Sequence, residues 1–198
     1  MTSSVTTNTL VNKYGEFINS DIQEQLDKNF MQRALELANK AEQFNEVPVG
    51  AVVVYQNTII GEGFNQSIML NDPSSHAEMN AIRQAGAYLN NYRLLDCTLY
   101  VTLEPCPMCA GLLVHSRITR LVFGCSDLKT GAAGSAFNLV NNSQLNHQIE
   151  IQSNILQEEC SQLLSSFFKR RRNEKKQAKK VQSKLGDDEN WAKGKTHK

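Results

Sequence analysis

Residues 49–64, VGAVVVYQNTIIGEGF, constrain the fold more than any other stretch of this chain. VGAVVVYQ is continuous and β-branched, the pattern of a buried strand. TIIGEGF (58–64) reads as a second strand, and Gln56-Asn57 marks the turn between them. Two apolar runs joined by so short a link pair as a hairpin. Helix and strand then alternate. HAEMNAIRQAGAYL (76–89) has helical composition and follows Asn71-Asp72-Pro73-Ser74-Ser75, a turn cluster able to cap it. CTLYVTLE (97–104) is a strand closed by Pro105, CPMCAGLLVHS (106–116) a helix, and ITRLVFGC (118–125) a strand. Upstream, Leu26, Phe30, Ala34, Leu35, Ala38 and Ala41 recur at helical spacing, so a helix is expected from Leu26 with Asp27 as a cap near its start. Downstream, SDLKTGAAGSA (126–136) is a Gly-rich loop and HQIEIQ (147–152) an edge strand. A final long helix carries Leu156, Cys160, Leu163, Leu164, Phe167 and Phe168 on one stripe. This order predicts an α/β fold in layers, with helices on both faces of one sheet.

Charge divides the chain. Formal net charge is +1, but residues 169–198 carry twelve Lys and Arg against four Asp and Glu, a balance of +8 that leaves the body at −7. KRRRNEKKQAKK suggests either a polyanion partner or a solvated helix end. No apolar run reaches the length that spans a bilayer. The first thirty residues lack the apolar core of a secretory signal, so a cytoplasmic protein with reduced thiols is expected. The five cysteines, an odd number, argue against a disulfide framework. Residues 1–20 are polar and aperiodic and are expected to be flexible.

Cys106 and Cys109, in EPCPMC, are compatible with a redox pair, a structural zinc site or a catalytic metal site. A structural site needs two further Cys or His, usually as a second close pair, and the sequence has none. A catalytic site needs one more ligand and an open position, and His76 supplies it. His76 and the cysteines each open a helix, so both positive helix ends would face the metal and favour thiolates. Glu78, two residues beyond His76, reaches the same place if its helix approaches end-on, and would then handle protons rather than bind metal. Cys97 and Cys125 read as small buried hydrophobes. His115 lies away from the cysteine face and reads as structural or RNA-facing.

HAE (76–78) with PCPMC (105–109) resembles the H-x-E…P-C-x-x-C signature of the zinc-dependent nucleoside deaminases. EVPVGAVVV (46–54), GEGFN (61–65), NYRLLDCTLYVTLEPCPMCAGLLVHSRITRLVFG (91–124) and DLKTGAAGS (127–135) extend the likeness to the bacterial tRNA-specific adenosine deaminases, from about Phe30 to about Arg172. The resemblance implies a cytidine deaminase-like, three-layer α/β/α fold with a central mixed sheet of about five strands. It implies one Zn2+ per subunit on His76, Cys106 and Cys109, with Glu78 as catalytic proton shuttle. It implies hydrolytic conversion of adenosine to inosine at wobble position 34 of a tRNA, an arginine tRNA in this family, and a homodimer. On its account Asn65 hydrogen-bonds the target base, Asp127 contacts the neighbouring ribose, and Phe168 stacks near the anticodon. An Asx turn is the local alternative for Asp127, and core packing the alternative for the phenylalanines. Lys169, Arg170, Arg171 and Arg172 would meet phosphates of the anticodon stem-loop.

Domain limits follow: an N-terminal extension over 1–25, the deaminase domain over 26–172 and a basic tail over 173–198. Two rivals remain open at this level, a deaminase of a free nucleobase or nucleotide (cytosine or guanine type) and a noncatalytic RNA-binding partner. The presence of Glu78 argues against the second.

Overall fold

The structure, a computed structural model, describes residues 9–11 and 17–194. In chain order the elements are β1 (Thr9–Val11), β2 (Phe17–Asn19), α1 (Ser20–Gln43), β3 (Gly50–Tyr55), β4 (Thr58–Phe64) and α2 (Ser67–Leu70). They continue with α3 (Ala77–Leu89), β5 (Thr98–Leu103), α4 (Pro107–His115), β6 (Arg120–Cys125), β7 (Glu150–Gln152) and α5 (Gln157–Gly194). The main sheet has five strands in the order β4-β3-β5-β6-β7. Its first three strands are antiparallel and β5, β6 and β7 are parallel, so the sheet is mixed. The 49–64 hairpin is present. Gln56 and Asn57 both take positive φ, 48° and 57°, as a two-residue hairpin turn requires.

Three layers follow from how side chains alternate across the sheet. Gly63 pairs with Ala51, and a Cβ on Gly61 or Gly63 would overlap α3 backbone at Ala81 or Ala77. A Cβ on Gly50, which faces the other way, would overlap α1 at Ala34. Gly124 faces Cys160 of α5. Helices α1 and α5 thus cover one face and α3 and α4 the other. The central strands are buried on both sides: Ala51, Val52, Val53, Leu99, Val101, Leu121 and Val122 are all solvent-excluded.

The expectations for the first helix and for the N-terminal residues change. Helix α1 begins at Ser20 rather than near Leu26, and Asp27 is not a cap but a buried residue in its second turn. The carboxylate of Asp27 accepts two 2.7 Å bonds from the Arg120 guanidinium and a 2.8 Å bond from the Tyr100 hydroxyl. Arg120 also lies 3.5 Å from Glu150, so this one carboxylate ties α1 to β5, β6 and β7. Periodicity of apolar residues cannot register such a position, because its burial depends on an arginine far along the chain. The turn cluster at 71–75 is preceded by the short helix α2. Residues 9–11 and 17–19, expected to be flexible, pair as an antiparallel ribbon, while the rest of that N-terminal expectation lies outside the described residues. The basic segment after Asn173 continues α5 without a break to Gly194.

Replacing Asp27 with Ala strands a buried guanidinium. The expected loss is about 3 kcal/mol of unfolding free energy in urea, since removing one partner of a buried pair leaves the other uncompensated. The double variant Asp27→Ala, Arg120→Met should recover at least half of it. Equal losses in both variants would show that the pair contributes only packing.

Candidate active site

Two helix N-termini meet at the carboxyl ends of β4 and β5. His76 is the N-cap of α3, with extended backbone at φ −80°, ψ 157°. Cys106 is the N-cap of α4, at φ −71°, ψ 170°, and Pro107 at the first helical position is compatible with the missing N–H there. Cys109, three residues on, lies in the first turn of α4 and is fully buried. The imidazole Nδ1 of His76 lies 3.7 Å from Cys106 Sγ and 3.6 Å from Cys109 Sγ. All three ligand atoms fall within 4.8 Å of one another, the one such group able to hold a metal among the described residues. The edge of a tetrahedral zinc site between a nitrogen and a sulfur ligand is about 3.6 Å for the usual Zn–N and Zn–S bond lengths. One imidazole and two sulfurs at these separations therefore fit zinc. They form three of its four positions and leave the fourth open.

Electrostatics couple the ligand groups: hydrogen bonding with Cys109, and after it with His76, lowers Cys106 to about 4 against the opposing effect of burial, while the bond with Cys106 and burial hold Cys109 well above the usual thiol range. His76 is raised, first by its hydrogen bond with Cys106. Glu78, in the first turn of α3, is only 4% exposed, and loss of solvation raises its carboxyl above the ordinary glutamate range. Its charged neighbours are His76 and Cys106, so the carboxyl lies beside the ligand group.

A pocket of about 170 Å3 opens over this group, lined by Val47, Val49, Asn65, His76, Glu78, Leu103, Glu104, Cys106, Asp127 and Thr130. It gathers His76, Glu78, Cys106, Asn65 and Asp127, which lie far apart in sequence. Asn65 is buried, and its Oδ1 accepts the Ala77 N–H at 2.9 Å, which leaves the amide nitrogen for the pocket. The carboxylate of Asp127 is used locally: it accepts the N–H of Lys129 at 2.9 Å and of Thr130 at 3.2 Å, and the Thr130 hydroxyl at 2.6 Å. The Asx-turn alternative for Asp127 is thus present in the geometry.

Phe168, Arg170 and Arg171 lie outside the pocket, on α5. Phe167 is buried and Phe168 is exposed, with the rings 5.4 Å apart and edge-on, so the two phenylalanines divide between core and surface. Arg170 bonds Glu42 at 3.2 Å and Glu174 at 3.1 Å and lies over the Phe167 ring; Arg171 bonds Glu174 at 3.0 Å. Cys97 and Cys125 are buried hydrophobes, and burial pushes both thiols up to about 11. His115 is exposed in a separate groove of about 720 Å3 between α3 and α4, away from the cysteines.

Sequence reasoning missed Glu104. It is buried at the end of β5 and accepts backbone N–H bonds from Asp127, Ala133 and Ser135, each at 3.0 Å. The available signal was an acidic residue closing an otherwise apolar strand just before Pro105.

Comparison with known proteins agrees with this site. The profile of the cytidine and deoxycytidylate deaminase zinc-binding region matches residues 24–125. The tRNA-specific adenosine deaminase of Haemophilus influenzae is 54% identical over 167 residues, covering 84% of this chain and 96% of its own length. The protein of that name from Bacillus subtilis is 46% identical over 154 residues, 78% of this chain and 96% of its own. A solved structure, from work on A-to-I editing by tRNA:A34 deaminases at the wobble position of transfer RNA, superposes with a TM-score of 0.67 at 38% identity. It covers 69% of this chain and 99% of its own.

Metal content separates ligand from proton carrier. Cys106→Ser should lose zinc and stability together, because site formation is coupled to folding. Glu78→Ala should keep one zinc per chain by plasma mass spectrometry. Zinc loss in the Glu78 variant would make that residue a ligand.

Proposed function

The chain belongs to the tRNA-specific adenosine deaminases of the zinc-binding cytidine and deoxycytidylate deaminase family, and on that premise we propose that it hydrolyses adenosine to inosine at the wobble position of a tRNA. The observation that carries the proposal is the buried Glu78 beside His76, Cys106 and Cys109, in a pocket that also presents the Asn65 amide. The finer reading is an arginine tRNA as substrate, a homodimer as the working unit and the cytoplasm as its place. Among the described residues no helix is long and apolar enough to cross a membrane.

His76, Cys106 and Cys109 would hold the zinc, and zinc bound there supplies the Lewis acidity that makes water nucleophilic near neutral pH. Glu78 takes the proton that the attacking water gives up and passes it to N1 of adenine; it then takes the proton of the hydroxyl added at C6, which becomes the carbonyl, and delivers it to the C6 amine, which leaves as ammonia. A desolvated carboxyl with a raised proton affinity suits both the taking and the giving. Asn65, its Oδ1 engaged with the Ala77 N–H, turns its amide donor to the purine edge. Asp127 keeps spare carboxylate lone pairs for the neighbouring ribose while it closes its own turn. The pocket is small and enclosed by Val47, Val49 and Leu103, so the base has to be unstacked to enter. An anticodon loop offers unstacked bases at low cost.

Helix α5 supplies the polyanion surface, extending the deaminase domain of residues 26–172 into the basic segment 173–198. Phe168, Arg172, Lys175 and Lys179 recur at i, i+4, i+7 and i+11, which is one face of a helix. Lys169 and Lys176 flank them. Among the described residues, none of these five cations has an ion-pair partner, and all are exposed. Arg170 and Arg171 border the stripe, so phosphates compete there with Glu42 and Glu174. An exposed aromatic ring among cations suits an RNA loop and stem, with stacking from the ring and phosphate contacts from the charges.

Unmodified tRNA with adenosine at position 34, incubated with the protein and digested, should yield inosine by mass spectrometry. Glu78→Ala should yield none, while free adenosine and cytidine stay unchanged. Deamination of a free nucleoside alone would discard the tRNA reading and keep the chemistry. Replacing Arg172, Lys175 and Lys179 with Gln should flatten the salt dependence of tRNA binding by about 2 units of log K against log salt. An unchanged slope would remove that face from the interface.

A further inference from the structure

We propose that Glu104 is the positioning residue of the substrate pocket, its buried carboxylate holding loop 127–135 against the strand end that carries Cys106. The hydrogen-bond partners of the Glu104 carboxylate are all in the loop. The carboxylate accepts the N–H groups of Asp127, Ala133 and Ser135 and the Ser135 hydroxyl. Three backbone donors and one hydroxyl converge on a side chain that is 2% exposed. A carboxylate offers acceptors only, and here every partner is a donor. The loop closes on it so tightly that a Cβ on Gly131 would overlap the Glu104 carboxyl, so only glycine fits there.

The loop has other anchors, but they attach to the same place. The Ala132 N–H donates to the Pro105 carbonyl at 2.8 Å, and the Glu104 N–H to the Cys125 carbonyl at 2.8 Å. Glu104 and Pro105 therefore hold the loop from within, one residue before the Cys106 ligand. Asp127 and Thr130 form the part of the loop that walls the pocket. Asp127 is itself locked to Lys129 and Thr130, so the two carboxylates work in series. Asp127 shapes the turn, and Glu104 fixes that turn over the pocket. Leu128, at the tip, is 83% exposed and adds no packing of its own.

The consequence is for substrate binding, given the deaminase reading above. Glu104→Gln keeps shape and volume but turns an amide N–H2 toward backbone donors, so at least one loop bond is lost. KM for an anticodon stem-loop should rise about tenfold or more, with kcat within about threefold and zinc at one per chain. Gly131→Ala, which wedges the same carboxyl from the loop side, should reproduce that split, and Ser135→Ala should give a smaller rise. Hydrogen exchange at Asp127, Ala133 and Ser135 should speed up in all three variants. KM unchanged in a folded Glu104→Gln protein would overturn the proposal. So would zinc loss, which would place the effect on Cys106, or a fall in kcat alone. If Glu104→Gln does not fold, Gly131→Ala and Ser135→Ala decide by the same measurements. If the wild-type protein makes no inosine in tRNA, the functional reading fails by itself, and amide exchange still tests the hold on the loop: unchanged protection would overturn it.

Discussion

The close approach of α3 to β4 is the contact on which the site depends. Glycine at 61 and 63 lets the helix backbone lie directly on the hairpin, where any larger side chain would meet the carbonyls of Ala77 and Ala81. That contact sets the height of the first turn of α3, and with it His76 and Glu78. The side-chain Oδ1 of Asn65 then receives the Ala77 N–H, so the residue that follows the strand ending at Phe64 also closes the helix start. Move α3 outward by the width of a methyl group and three pocket residues move together. Close-packed interiors transmit such shifts because no void exists to absorb them.

Among the described residues four carboxylates are buried, and each is handled differently. Asp27 is neutralised by Arg120 and serves the fold. Glu46 accepts the Met69 N–H at 2.7 Å and holds α2 beside the chain entering β3. Glu104 gathers loop amides. Glu78 alone lies against the metal-ligand group, in a place where its charge is disfavoured by lost solvation. Burying a carboxylate without a dedicated cation is costly unless its protonation is put to use. The contrast among the four separates Glu78, whose carboxyl lies beside the metal-ligand group, from the three whose carboxylates tie elements of the fold together.

Charge is separated along the chain for a related reason. The body is acidic, yet α5 carries the exposed cations Lys169, Arg172, Lys175, Lys176 and Lys179. Arg170 joins the two, bonded to Glu42 of α1 and to Glu174 within its own helix while it covers the Phe167 ring. The helix is thereby fastened by some of its cations and leaves others to solvent. Exposed ion pairs contribute little individually, so the fastening rests mainly on Phe167 and its buried neighbours Cys160 and Leu164.

What was legible in the sequence was local. The β-branched run at 49–54, the alternation after it and the three-residue spacing of Cys106 and Cys109 specified layers, a hairpin and two ligands on one helical turn. HAE and PCPMC named the chemistry because ligand types and spacing are dictated by zinc itself. The Asx turn at Asp127 was legible as an alternative, and so was core packing for the phenylalanines, which holds for Phe167 and not for Phe168. Periodicity could not find the roles of Asp27 and Glu104. Apart from Gln23, four residues before Asp27, the partners of these two acidic residues lie from 23 to 93 positions away. Nor could it sort the basic residues of α5 into paired and unpaired, since Glu42 reaches Arg170, 128 positions away, only because α1 and α5 lie side by side on one face of the sheet. The sequence alone determined which elements form and which atoms can bind metal, because those follow from a few neighbouring residues. Only the tertiary structure decided which buried charges are satisfied and by what, because burial and hydrogen-bond geometry belong to the assembled chain.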